Sequence, residues 1–507
     1  MRCDGERPVC RVCRVRPPRS LTPCKYSHAP LSGTASPQLE EVMQAMQNKI
    51  QALEHQIEIL SGKDPSSVFL SSPYPEVQEL DLLDAHTSDN AFATPSPIED
   101  TLEQTGTLIE NFLRHFSRSQ FFFLNSSHFQ QTTLSLPHLL PTGLLSAVAL
   151  WGNRLFPNSV AVSTYTEEEL LSRTVHQVAR EIAAIDHAPP QRILYLIQTE
   201  VLLSLYYLDC VRLFECNYHC AGATSLALTS GLHRLVASTQ PLEPPSTLSA
   251  GVSIRVQMGT AWAMEMIDAF WSVVILNNYC VAASETPSSI PCDTPVVTPW
   301  PTHMPFTPPI ASGNDLVGHS PLTLLARASV QLERVMAFTG RTSNVPQPQE
   351  FWSLDSRLET FRGNLPPIGI NTRTEPISLT THALLNFAII KLHGPHQTTT
   401  PVSQTKCLTA ASCLALRLTD AHLAEWQMAD PILGPLLASV AQFLIDNLAQ
   451  YYSPQSSADL HTIMSAMQTL ARWSRLIHHH LTITQQRYDT ASAQQLSLLH
   501  GVSVQHS

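Results

Sequence analysis

Glycine is scarce in this chain, with 18 among 507 residues. None is arranged as a phosphate-cradling loop, which excludes nucleotide sites of the Walker or dinucleotide type. The nucleophile elbow G-x-S-x-G is missing, because Gly318-His319-Ser320 lacks the second glycine. No H-E-x-x-H pair occurs, so the commonest zinc-hydrolase helix is excluded too. Nor is there an uninterrupted apolar run of about 18 residues or more. The nearest, Pro431–Ile445, is broken by Gly434 and Pro435 and reads as a buried helix. The opening Met-Arg-Cys-Asp-Gly-Glu-Arg-Pro has no apolar centre and does not read as a signal peptide. The expectation is a chain that is no enzyme and has no membrane partner.

What is present is unevenly distributed. Residues 1–30 carry Arg2, Arg7, Arg11, Arg14, Arg16, Arg19 and Lys25 against only Asp4 and Glu6, a net +5, while the whole chain stands at -11. A short basic head on an acidic body suits contact with a polyanion through the head alone, although a solvated tail has the same composition. Four of the 11 cysteines, Cys3, Cys10, Cys13 and Cys24, lie in that head. The other seven are scattered through apolar text, and an odd total without a framework argues for a reducing compartment.

Beyond a polar spacer at 31–38, the chain divides into a helix at 39–60, a Ser/Pro/Asp-rich linker at 61–98, a body from 100 to 482 and a polar, loosely ordered tail at 484–507. Apolar residues in the body recur at helical spacing, as in Leu194, Ile197, Val201, Leu202 and Leu205. The spacing predicts helices near 101–117, 142–152, 166–184, 190–212, 215–236, 258–284, 321–339, 376–393, 404–427, 431–452 and 457–482. Period-two runs are scarce, so no sheet is expected and the fold class is all-α. The proline-rich stretch 286–310 must cross the surface as irregular chain.

The head is spaced Cys3-x6-Cys10-x2-Cys13-x10-Cys24 among arginines. Thiolates at such spacings suit tetrahedral zinc, and about 25 residues have almost no other means of holding a shape. These residues resemble the fungal six-cysteine binuclear zinc cluster. Arg2-Cys3 through Arg7-Pro8-Val9-Cys10 is similar to its third and fourth cysteines with the proline loop. Cys10-Arg11-Val12-Cys13 is similar to the fourth and fifth, and Cys24-Lys25-Tyr26 to the sixth and its sequel. By that resemblance the first two cysteines, and most of the base-reading helix, would lie before Met1. In the family the first and fourth cysteines bridge two metals. One zinc would therefore find Cys10, Cys13 and Cys24, with water or His28 as a fourth ligand, and the other only Cys3 and Cys10. The resemblance implies a zinc-dependent, nuclear transcription regulator of RNA polymerase II type. Arg2, Arg11, Arg14, Arg16, Arg19 and Lys25 would meet DNA phosphates, weakly and without sequence choice. Two accounts stay open: a coding sequence that starts upstream of Met1, or a short form that no longer reads DNA and modulates a full-length partner.

Residues 39–60 follow a heptad at every core position. With Leu39 at d, Met43, Ile50 and Ile57 fall at a, and Met46, Leu53 and Leu60 at d. Isoleucine at a with leucine at d favours a parallel two-stranded coil, so the expected partner is a second copy or a related factor. Packing of the same stripe against the body is the alternative. The acid-and-leucine segment Pro75–Asp84 reads as a solvated linker, or as a motif that folds on a coactivator surface.

In the body, Leu108–Phe123, Gly231-Leu232-His233-Arg234, and Glu265 through Asn277 followed by Pro287, Pro291 and Pro299-Trp300-Pro301 resemble the middle homology region that usually follows such heads. The family's acidic residue near Asn277 is absent. His478-His479-His480 cannot share one metal, since adjacent helical residues point about 100° apart; a solvated helix end accounts for them. Cys216 and Cys220, spaced i, i+4 around His219, are either a thiol pair for a metal or free buried cysteines. Trp271 and Trp300 are expected to pack rather than to bind a ligand, and no effector site is legible.

Overall fold

The computed structural model describes residues 98–504, apart from 118, 156–165, 186–187, 239–253, 258–259, 302–319, 342–347 and 369–374. The cysteine head, the heptad helix and the acidic linker lie outside the described residues. The described part is all-α, as the periodicity predicts. Its helices are α1 (Ile98–Phe116), α2 (Ser126–Ser135), α3 (Thr142–Leu155), α4 (Glu167–Ala183), α5 (Pro190–Asp209), α6 (Leu213–Thr229) and α7 (Ala261–Ser284). They continue as α8 (Pro321–Thr339), α9 (Pro348–Asn364), α10 (Glu375–His393), α11 (Pro401–Asp420), α12 (Leu433–Gln450), α13 (Pro454–Leu470) and α14 (Arg475–Val504).

Local chemistry sets many of these bounds. Thr166 and Glu169 form a reciprocal capping box at the start of α4, and Asn125, Thr260, Ser320 and Ser453 each accept a backbone N–H from the first turn that follows. Proline opens α5, α8, α11 and α13, where its missing N–H costs nothing. Helix α6 stops at Thr229 because Gly231 turns the chain at φ 78°, a left-handed conformation that only glycine adopts freely.

Helix α7 anchors the core. It is long and apolar enough to cross a membrane by composition, yet 89% of its most apolar window is buried within the protein, as befits a core helix hydrophobic on every side. It packs against α5, α6, α8 and α12. One continuous core joins the helices before it to those after it.

Several sequence expectations need correction. Helices α2 and α9 were not expected, because both are short of apolar residues on a single face: Phe129 alone is buried in α2, and Leu354, Asp355 and Leu358 in α9. The run 404–427 begins at Pro401 and ends at Asp420. The run 457–482 is two helices, separated at residues 471–474, and the second continues to Val504 in place of the loosely ordered tail expected from 484. Two four-residue strands, Leu235–Ser238 and Ile254–Gln257, pair in parallel with Leu235 opposite Ile254. Strands this short carry too little alternation to be read from sequence.

Candidate functional site: a cleft between two sets of helix ends

A cleft of about 1110 Å³ opens where helix termini meet. One wall is built from the C-terminal ends of α1, α3 and α5, through Arg114, His115 and Phe116, through Trp151, Arg154 and Leu155, and through Leu205 and Asp209. Ser119, Gln120 and Phe121 extend it. The other wall uses Pro376 and Ile377 at the start of α10, the segment Glu425–Pro431 before α12, the turn Ala471–Ser474, and Arg475 and His478 in the first turn of α14. Helix N-termini carry partial positive charge and C-termini partial negative, so the two walls have opposite polarity.

An alternating charge network closes one end. Arg154 donates to Asp209, with Nε to Oδ2 at 3.1 Å, and its Nη1 stands 3.7 Å from Glu167. Arg475 pairs with Glu167 at 2.8 Å, Tyr206 donates to the same carboxylate at 2.6 Å, and Ser474 donates to Asp209 at 2.6 Å. Burial alone would push Glu167 up, but hydrogen bonds from Arg475 and Tyr206 and the charge of Arg154 hold it below its usual range. The network ties α3, α4 and α5 to the start of α14, where Ser474 and Arg475 reach partners 265 and 308 positions away in sequence.

Asp430 holds a second junction. It accepts from Gln120 at 2.7 Å, from the Tyr279 hydroxyl at 2.9 Å and from the Ile432 amide at 3.2 Å. Burial pushes its carboxyl up to about 6, against the pull of those hydrogen bonds. Ser272 donates to the Gln120 carbonyl at 2.5 Å, so α7, the turn after α1 and the segment before α12 meet at one point.

Three aromatic and cationic groups on the α14 side stand differently. Trp426 is 5% exposed, and its indole Nε1, like that of Trp473, has no hydrogen-bond partner among the described residues. Arg472 donates to the Ala424 carbonyl at 2.8 Å and lies 5.1 Å from the Trp473 ring centroid, with no carboxylate bonded to it among the described residues. Both indole nitrogens are shut off from solvent, so they lie within the wall and do not open into the cleft.

The residues singled out from sequence fall as follows. Cys3, Cys10, Cys13, Cys24, the six basic residues of the head and the seven heptad residues lie outside the described residues. Cys216 and Cys220 are free and buried, with Cys216 Sγ 3.3 Å from Cys280 Sγ. A cysteine partner and burial push the Cys216 thiol well up, and His219 between them bonds Glu200 at 2.6 Å instead. The three histidines open α14 rather than end a helix. Only His478 lines the cleft, and burial with the charge of His479 lowers His480 to about 4. Trp271 and Trp300 stack at 4.1 Å. Trp271 Nε1 donates to the Pro299 carbonyl at 2.7 Å, and Asn277 binds Ser288 and Ser289 at 2.9 Å each. The amide of Asn277 thus pins the proline-rich loop to α7 without an ion pair.

The structure also contains a chain that sequence reading did not find. Ser403 Oγ lies 3.0 Å from His393 Nδ1, and His393 Nε2 lies 2.9 Å from Asp355 Oδ1. The order is that of a hydrolytic relay. Here His393 is wholly buried, Asp355 is also bound by Lys406, and none of the three lines the cleft, so the relay stitches α9, α10 and α11 together. No local spacing could reveal it, because the three residues stand on three helices.

Residues 109–297 match the family model of the fungal specific transcription factor domain. The match runs from the second half of α1 to the proline-rich loop pinned by Asn277, and includes the α1, α3 and α5 wall of the cleft. That family comprises transcription regulators and not enzymes. No zinc-cluster family model matches the head. No curated protein is similar enough to the chain to count as a match.

Proposed function

We propose that this chain is a nuclear regulator of transcription that pairs through residues 39–60 and touches DNA through its basic head, with the helical body as its control domain. The match of residues 109–297 to a fungal transcription factor domain carries this reading. The head supports it, since Cys3, Cys10, Cys13 and Cys24 at short spacing among arginines suit zinc. Arg11, Arg14, Arg16, Arg19 and Lys25 supply phosphate contacts, which give salt-sensitive attraction. Base readout needs side chains held in the major groove, which phosphate contacts alone do not supply. Four thiolates suit one tetrahedral zinc, so the 507-residue chain is expected to bind at most one zinc and to shift G/C-rich triplet DNA weakly, with little preference over scrambled DNA. Metal analysis by mass spectrometry and a mobility shift at two salt concentrations test this. Two zincs per chain with a tight, selective shift would overturn it. The pairing has its own check: Ile50→Asp with Ile57→Asp should convert a dimer to a monomer in sedimentation, because two charges at a positions cannot be buried in the seam.

A further inference from the structure

We infer that Cys216 on α6 and Cys280 on α7 form a peroxide-reactive dithiol, which closes into a disulfide between the two helices when hydrogen peroxide reaches Cys280. The chemistry stands on these two helices and does not depend on DNA binding.

Three buried cysteines converge from two helices. Cys216 Sγ stands 3.3 Å from Cys280 Sγ, and Cys220 follows Cys216 by one turn of α6, close enough to act on Cys280. Ser204 on α5 reaches both sulfurs of the close pair, at 3.5 Å from Cys216 and 4.0 Å from Cys280. Among the described residues, no group of three or more His, Cys, Asp or Glu is placed to hold a metal ion. The close pair is therefore left to react with itself. A disulfide needs its sulfurs at about 2 Å, so the pair has roughly 1 Å left to close, within reach of a small side-chain rotation. No guest has to enter between the two sulfurs, so burial does not block the bond.

The two sulfurs differ in access. Cys216 is 0% exposed and Cys280 5%, and Cys280 lines a surface pocket of about 390 Å³ together with Phe214, Tyr218, Asn277 and Pro287. Hydrogen peroxide is little larger than water, so this is its route to the pair. The bond with Cys216 draws the Cys280 thiol down, but Cys220 and burial outweigh it and leave the thiol well above its usual range. The same bond, with burial, pushes Cys216 up. Cys280 is thus the sulfur that ionises and attacks, and it does so slowly near neutral pH. Its thiolate takes one peroxide oxygen, the O–O bond breaks, and the other oxygen leaves as water with the released proton, giving a sulfenic acid. The Cys216 sulfur then attacks the Cys280 sulfur, the S–O bond breaks, and a second water carries off the Cys216 proton. Two thiols are oxidised by two electrons, and one peroxide is reduced to two waters. A pair this slow to start answers to sustained peroxide and not to a brief pulse.

Peptide mass spectrometry of the full chain tests this, after incubation with hydrogen peroxide, denaturation in an alkylating reagent and digestion. A peptide of α6 should appear joined to a peptide of α7, and dithiothreitol should separate them. Cys216→Ala and Cys280→Ala should each abolish the join. Cys220→Ala makes an equal change in the same core and should leave it in place. The join should form about tenfold faster at pH 8 than at pH 7, because the thiolate fraction of a thiol held above its usual range grows tenfold per pH unit. The joined protein should also melt at a higher temperature, since the bridge spans 64 positions of the unfolded chain. Absence of the join, its survival in Cys216→Ala, its equal loss in Cys220→Ala, or a rate that is flat with pH would overturn the assignment.

Discussion

Gly152→Ala should destabilise the body, although alanine is the better helix former. The residue sits in α3 where that helix crosses α1, and a Cβ built on it would stand 2.0 Å from the carbonyl oxygen of Leu108 and 2.7 Å from its carbonyl carbon. These are backbone atoms, so no rotamer change relieves the overlap. The crossing must open by about 1 Å, which loosens the contacts of tightly packed core. Such overpacking costs about 3 kcal/mol, and more where backbone must move. The gain in helix propensity returns at most about 1 kcal/mol. The net loss is about 2 kcal/mol, or roughly 2 °C in melting temperature for a domain of this size. Gly106→Ala is the control: it lies in α1 with nothing within 4 Å of the new Cβ, and should leave stability unchanged or raise it by up to about 1 kcal/mol. Thermal unfolding of the two variants beside the parent decides the matter. A Gly152→Ala protein as stable as the parent would refute the close crossing. The same crossing sets Phe116 and Trp151, 4.7 Å apart, into the cleft wall.

Burial, with the nearby Glu265, pushes Asp268 up to about 7. The folded state then holds a proton that the unfolded state releases, so this group's contribution to stability falls as pH rises from about 4 through 7. Asp268→Asn should remove that slope and raise the melting temperature more at pH 8 than at pH 5; an equal gain at both would count against the assignment. Asp430→Ala leaves the Tyr279 hydroxyl and Gln120 without their acceptor, and should cost about 3 kcal/mol, read as a lower urea midpoint at unchanged slope. Gly231→Ala forces a side chain into φ 78° and should cost about 1 kcal/mol in the same assay; a stabilised variant would show that the turn after α6 is not left-handed.

Legibility followed the range of each interaction. Helix type and most helix positions depend on neighbours three or four residues away, so Leu194, Ile197 and Val201 announced α5 from the text alone. Caps are equally local, as in Thr166 with Glu169. The sites that matter most are not local. Arg154 meets Asp209 across 55 positions, Gln120 meets Asp430 across 310, and Trp426 and Arg472 come to one wall because three helices begin there. A sequence shows which side chains could bond, but the pairing depends on which helix ends the core brings together. The resemblance to a fungal transcription factor domain, which the family model also matches over residues 109–297, was legible in Gly231-Leu232-His233-Arg234 and the aromatic run of α7. These residues must fit a turn and a core, requirements that a short stretch of sequence expresses in full. The cleft was not visible, because nothing in Trp426 or Arg472 taken singly distinguishes an unmet donor from one that folding satisfies. Sequence alone determined an all-helical body with a cysteine-rich basic head. Only the tertiary structure decided which donors were left unpaired, since satisfaction of a polar group is a property of the packed whole.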